Sequence, residues 1–441
     1  MPIADKAQEP AAPTARSVRL PRRWRVILLV LVVTTVAYVD RTNLAVSAPV
    51  LIKEFHTNTA VMGVLLSSFS WTYTLLNAPA GALVDRVGPR AMYAAALSVW
   101  SAASFCGAAA HSVATMFGPR LLLGVGESPF IPTAVRTVSD WLPRTERGLG
   151  SGVFISGVSL GSAVGPALLA PLVASCGWRS SFLATGALSL VVAIVWWLWY
   201  RHPAQDERLS AEERELIERG QEPYLDQGRA PWRILLKHRE IWAITAGYFS
   251  LMYMLYTFVS WVPSYLVTDR HLTLLKSGWM SSIPWICAFV ITLIGGCVSD
   301  IAHHRGLSAL SARKLVLVGG MAAALAVLGT AFSAPSTVAI ICLCVSTSGI
   351  SLANGASWAA TQDVVRRLNL SGSAAGLING VSNIGGLLGP IVTGALAYST
   401  ASFAVPLAVA AGLAGIGALA WLLGIRSQPT TPPVTSGRSS R

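Results

Sequence analysis

Four charged residues stand where an apolar environment surrounds them in the sequence. Asp40 and Arg41 lie near the middle of an apolar run from Val26 to Ile52, and Arg120 and Glu127 lie in another over 114–138. A run of this length crosses a bilayer as a helix, at about 1.5 Å of rise per residue. A carboxylate or guanidinium at its centre costs roughly 2.5–3.5 kcal/mol each on insertion scales, so such residues face a watery cavity or one another. Arg41 stays charged at any working pH and offers a planar fork of donors that fits a carboxylate. Asp40 and Glu127 suit proton exchange. Low dielectric favours a neutral carboxyl, a neighbouring guanidinium favours the ionised one, and whatever alters that balance moves a proton. Arg120 precedes Glu127 by two helical turns, which places it on the same face as a partner that tunes the acid. The competing readings are a permanent salt bridge from Arg41 to Asp40 or Glu127, and an Arg120 that snorkels at the end of its span.

The elements that carry these residues follow from composition. The chain of 441 residues is 53% hydrophobic and 12% charged, against about 25% charged in soluble proteins. An all-α membrane protein is expected. Apolar spans fall at 26–50, 60–84, 91–110, 114–138, 149–172, 179–200, 241–268, 278–299, 314–332, 336–361, 375–398 and 402–425, each near the ~20 residues of a crossing. The organisation predicted is a tail (1–23), a six-helix half (24–200), a polar linker (201–239), a second six-helix half (240–426) and a second tail (427–441). Ser210-Ala-Glu-Glu213 is a capping box, so the linker should hold a short amphipathic helix on the membrane face, within what is otherwise a solvated tether.

The net charge of +13 could suggest nucleic acid, but the basic residues concentrate in alternate loops as the positive-inside rule requires. Both termini are then cytoplasmic in a plasma-type inner membrane. The tail from Met1 to Arg25 lacks a short apolar core with a cleavage site, so no removed signal is expected; an Arg-rich transit peptide is the competing reading, against which stand Asp5 and Glu9. None of the seven His is mid-span and the six Cys show no paired loop spacing, so reduced thiols, no metal and no cofactor are expected, with the proton as coupling ion. Trp196, Trp197, Trp199 and Tyr200 read as an interfacial aromatic belt.

The two halves repeat. Gly81-Ala-Leu-Val-Asp85-Arg86-Val-Gly88-Pro-Arg90 follows the second span, and Gly296-Cys-Val-Ser-Asp300 follows the eighth. Gly152, Gly157, Gly161, Gly165 and Pro166 mark the fifth span, while Gly376, Gly380, Gly385, Gly386, Gly389 and Pro390 mark the eleventh. Glycines about four apart let a neighbouring helix approach closely. Duplicated landmarks imply two six-helix halves related by pseudo-symmetry, with a site between them near the midplane.

These motifs resemble the major facilitator superfamily from Arg23 to Arg426. Within it, Tyr38-Val-Asp40-Arg41-Thr-Asn-Leu and Arg120-Leu-Leu-Leu-Gly-Val-Gly-Glu127-Ser-Pro resemble the anion:cation symporter branch, which includes bacterial sugar-acid/proton symporters and vesicular glutamate transporters. The resemblance implies twelve transmembrane helices and proton-coupled symport of a small organic anion by alternating access, in a lipid bilayer, as a monomer. It implies that Arg41 holds the substrate carboxylate, that Tyr38, Tyr73, Trp358 and Asn379 contact the substrate, and that Asp40 and Glu127 exchange protons. Asp85, Arg86, Arg90 and Asp300 would form the gating loops. Trp358 is equally readable as an interface anchor, because it sits toward the end of its span.

The chain departs from the sugar-acid members at Ile155 and Val158, where they carry amide side chains. Without those hydrogen-bonding groups a less hydroxylated acid, such as a short dicarboxylate or an aromatic carboxylate, is favoured over a sugar acid. An organophosphate/phosphate exchanger would be expected to place a second cation in the seventh span, and 241–268 has no Lys or Arg. A drug/proton antiporter would set Arg41 against its cationic cargo. A transport-like sensor would be expected to add a soluble signalling domain, and a membrane enzyme a nucleophile–base pair, metal cluster or phosphate loop; none is evident.

Overall fold

The computed structural model describes residues 20–220, 232–304, 309–332, 335–365 and 371–425. In chain order the first half contains α1 (Arg22–Glu54), α2 (Thr59–Val87), α3 (Pro89–Ala108), α4 (Val113–Glu127), α5 (Phe130–Trp141), α6 (Arg144–Cys176) and α7 (Trp178–Trp199). The linker holds α8 (Ala211–Arg219). The second half contains α9 (Arg239–Thr268), α10 (Leu274–His304), α11 (Ala309–Ala324), α12 (Val327–Phe332), α13 (Ser336–Val365), α14 (Ser371–Thr400) and α15 (Ala404–Gly424).

Eleven spans among the described residues are long and apolar enough to cross a membrane, α11 and α12 together making one of them. The twelfth is α4 followed by α5, interrupted at Ser128-Pro129. Prolines cause the break. Neither Pro129 nor Pro132 has an N–H to give to the preceding turn, and the freed groups find other partners. Ser128 Oγ donates to the Val125 carbonyl at 2.9 Å, and Asn77 Nδ2, reaching from α2, donates to the Ser128 carbonyl at 3.3 Å. The chain thus bends immediately after Glu127.

The duplication seen in the sequence is a duplication of packing. α1 packs on α6 as α9 packs on α14, α2 on α4 as α10 on α13, and α3 on α7 as α11 on α15. The glycine stripes make the first of these contacts. A Cβ on Gly161 would lie 2.3 Å from the Thr35 carbonyl oxygen and 2.7 Å from Tyr38 Cβ. On α14, a Cβ on Gly386 would lie 2.7 Å from the Tyr256 ring. Only glycine permits this approach, and both stripes therefore seat a tyrosine-bearing helix.

The halves meet crosswise, α2 on α14 and α10 on α6. The glycine approaches lie toward the end opposite the chain termini: Gly63 against the Pro390 carbonyl, Gly394 against the Thr59 carbonyl, and Gly278 against Pro166 and Ala170.

At the termini end the linker differs from the solvated tether expected. α8 forms with its Ser210 cap as the sequence suggests, but Ile217 and Leu209 are buried in the core of the first half. The Glu213 carboxylate accepts the backbone N–H groups of Arg22 and Arg23 at 3.1 and 3.0 Å, satisfying donors that open α1 and have no partner within the helix. Arg22 pairs with Asp206 at 2.9 Å, and Arg23 with Glu146 at 2.9 Å. The aromatic belt is likewise half internal. Trp196 and Tyr200 are fully buried and stack at 4.4 Å, whereas Trp197 is exposed. Five described cysteines are free thiols; the side chain of Cys297 lies outside the described residues.

Candidate functional site

At the midplane the two halves bring side chains together around Arg41. Its Nε donates to Glu127 Oε2 at 2.5 Å, and both side chains are buried. Its Nη1 donates to the hydroxyl of Tyr256, on α9 of the other half, at 3.3 Å. Three rings wall the guanidinium, with centres 4.6 Å (Tyr38), 4.9 Å (Phe69) and 5.0 Å (Tyr73) from its carbon. Contacts of this kind attract a cation without neutralising it. Two polar atoms are left over: Arg41 Nη2 and Glu127 Oε1 are buried and have no hydrogen-bond partner among the described residues. The site therefore pairs a single cation with a single carboxylate and keeps one donor and one acceptor unused.

The wall continues across the interface. Phe69 on α2 stacks on Tyr256 at 6.1 Å between ring centres. Tyr248, two turns before Tyr256 on α9, packs edge-on against Trp358 at 5.3 Å and donates its hydroxyl to Asn354 Oδ1 at 3.2 Å. Trp358 is thus an internal residue of the second half rather than a membrane-surface anchor. The described contact of Asn379 is made by its backbone carbonyl, which accepts from Asn383 Nδ2 at 2.8 Å.

The four charges expected to cluster separate into two environments. Asp40 and Arg41 are successive residues and point about 100° apart around the helix. Asp40 faces into the first half, where Ser104 Oγ of α3 donates to Oδ1 at 3.3 Å and Ser189 Oγ of α7 donates to Oδ2 at 2.7 Å. No Lys or Arg lies within salt-bridge distance of it among the described residues. Arg120 does not bond Glu127; its Nη2 donates to the Leu66 carbonyl at 3.4 Å and its guanidinium lies over Phe69 at 5.3 Å. It sits behind the ring that walls Arg41, so its effect on Glu127 acts across space.

Of the four residues expected to form the gating loops, three have described side chains. Asp85 pairs with Arg136 of α5 at 3.0 Å, and Arg136 reaches Asp140 at 2.9 Å. Arg90 donates to the Trp197 carbonyl at 2.9 Å and lies over the Trp197 ring. Arg86 is exposed. The side chain of Asp300, near the end of α10, lies outside the described residues. Ile155 and Val158 are half-buried on α6, Ile155 against the core of the first half.

Sequence reasoning missed Tyr256, Tyr248 and the serines that hold Asp40. The signal for the tyrosines was an eight-residue spacing on one face of the seventh span. For the serines it was hydroxyl residues every three positions in the third span and every four in the sixth.

Comparison with known proteins bears on the family and the fold. The model of the Major Facilitator Superfamily matches residues 30–390. The chain is 30% identical to a D-galactonate transporter of Escherichia coli O6:H1, over 91% of this chain and 95% of that protein. It is 30% identical to a hexuronate transporter of Bacillus subtilis (91% and 94%) and 29% identical to a probable sulfoacetate transporter of Cupriavidus necator (92% and 94%). A solved bacterial homologue of the human lysosomal transporter Spinster, inward-facing and occupied, superposes with a TM-score of 0.72 at 17% identity, over 92% of this chain and 97% of that one. The duplicated helical packing, the apolar spans and the family model coincide over most of the sequence, and the chain belongs to the Major Facilitator Superfamily, a membrane transporter and not an enzyme.

Proposed function

We propose that the protein takes up a small organic anion together with protons, by alternating access of its two halves. The observation that carries this reading is the Arg41 site: a buried guanidinium bound to Glu127, with Nη2 and Glu127 Oε1 unused. An incoming carboxylate competes with Glu127 for the same fork of donors. Two carboxylates on one guanidinium repel each other in a low-dielectric site, so anion binding favours a neutral, protonated Glu127. Release of the anion restores the Arg41–Glu127 pair and expels the proton. Tyr38 and Tyr73 frame the anion from the first half, with Tyr256 and Trp358 facing them from the second, and Asn379 contributes an amide as the cavity opens and closes. Asp40 is the second proton site.

The relatives' names point to acids of the sugar-acid and sulfonate kind as cargo, and the apolar Ile155 and Val158 favour acids with fewer hydroxyls, dicarboxylate and aromatic carboxylates among them. The same reading places both termini in the cytoplasm of a bacterial inner membrane, with the protein working as a monomer, without metal or cofactor. An organophosphate exchanger is less well supported, since the central stretch of α9 carries no second cation.

The test is thermal stabilisation of the purified protein by a panel that includes D-galactonate, D-glucuronate, sulfoacetate, succinate and benzoate. At least one acid is expected to raise the melting temperature of the wild type and to lose that effect in Arg41→Ala. A shift that persists unchanged in the variant contradicts the site.

A further inference from the structure

Asp40 does not face the Arg41 site, and further polar groups share its side of α1. On α1, Asp40, Asn43, Ser47 and Glu54 fall at intervals of three, four and seven residues, one face of a helix. On α7, which runs the opposite way, Ser189, Thr185, Ser181 and Trp178 fall at intervals of four, four and three, again one face. The two faces meet. Ser189 Oγ donates to Asp40 Oδ2 at 2.7 Å, and one turn along α7 the Thr185 hydroxyl donates to the Phe182 carbonyl at 3.3 Å. Asn43 Nδ2 donates to Thr185 Oγ1 at 3.2 Å, and Ser181 Oγ donates to Asn43 Oδ1 at 2.6 Å and to the Trp178 carbonyl at 2.7 Å. Trp178 Nε1 donates to Glu54 Oε2 at 2.7 Å, where Glu54 also pairs with Arg179 at a half-exposed surface.

This polar seam runs from Asp40 to Glu54, fifteen residues of α1 and about 21 Å at 1.5 Å per residue. Asn43, Ser47, Ser181, Thr185 and Ser189 are all buried. Buried polar groups are costly unless bonded, and Ser47 Oγ has no partner among the described residues. Helix packing alone gives no reason for a row of hydroxyls leading from the surface to a buried carboxylate.

We propose that protons reach Asp40 along this seam, from the end of the bundle opposite the termini, and not by way of the Arg41 site. The proposal rests on the reading of Asp40 as a proton site. The step is proton transfer alone: a proton carried by water and the seam hydroxyls converts the Asp40 carboxylate to a carboxylic acid, and the Asn43 amide holds Ser181 and Thr185 in line. The charged groups that act on Asp40 across space are Glu127 and Arg120 of α4, with Arg41 adjacent in sequence; none is bonded to it. Proton and anion then enter on different faces of one helix.

The test is a pH jump on the full-length protein in detergent, followed by time-resolved infrared absorption of the carboxylic-acid C=O stretch, with Asp40→Asn identifying the Asp40 signal. Protonation of Asp40 is expected to slow at least tenfold in Ser181→Val and in Ser47→Val, and to recover in Ser181→Thr. Ser47→Val removes no hydrogen bond of the described fold, so it reads the route even if Ser181→Val fails to fold. A wild-type rate in Ser47→Val overturns the route and leaves Asp40 as a proton site. Absence of any signal removed by Asp40→Asn overturns both.

Discussion

Arg41 has one fork of donors and, in this conformation, Glu127 occupies part of it. The residue that ties this arrangement to the second half is Tyr256, whose hydroxyl accepts from Arg41 Nη1. Hydrogen bonds to charged groups contribute roughly 1.5–3 kcal/mol. Tyr256→Phe is therefore expected to weaken binding of the stabilising acid about tenfold or more, measured by titration calorimetry, with little change in the melting temperature of the unliganded protein. Unchanged affinity would remove Tyr256 from the site. Arg41 and Glu127 were legible in the sequence because charge inside an apolar run has few explanations. Tyr256 was not, because a tyrosine in such a run is ordinary until packing shows what lies opposite. The separation of Asp40 from Arg41 was implicit in their adjacency, but which face met the other half depended on tertiary packing.

The elements that place these residues owe their positions to small residues and to prolines. Gly161 lets α6 close on Tyr38, and the Ser128-Pro129 break ends α4 directly after Glu127. Gly161→Val would drive a branched side chain into the Thr35 carbonyl and Tyr38 Cβ. Overpacking of this kind costs typically ~1–3 kcal/mol, so a lowered melting temperature is expected together with weaker anion binding, since Tyr38 is displaced; a variant as stable as the wild type would show that the contact is slack. The glycine stripe and the duplicated spans were visible in the sequence as periodic patterns. The interruption of the fourth span was not anticipated there, because hydropathy over 114–138 is continuous and records no hydrogen bonds. The docking of α8 was missed for a related reason: its balanced charges suggested a solvated helix, while Glu213 is committed to the first two amides of α1.

At the scale of the molecule, two similar six-helix halves are pressed together by the crosswise contacts of α2 with α14 and α10 with α6. A Cβ on Gly63 would lie 2.5 Å from the Pro390 carbonyl oxygen, so Gly63→Val should wedge that contact open. Spin labels at Val61 and Tyr398, both exposed on these helices, are expected to report a longer distance in the variant; an unchanged distance would mean that this contact does not hold the halves together. Such opening would give an anion access to Arg41 from the end opposite the termini, and the proposed coupling then depends on what happens at Glu127. The most direct measurement is calorimetric titration of the stabilising acid in buffers of different ionisation enthalpy, which counts protons taken up on binding. The account predicts proton uptake on anion binding by the wild type and its loss in Glu127→Gln with binding retained. Binding without proton uptake in the wild type, or the same uptake in Glu127→Gln, would contradict it.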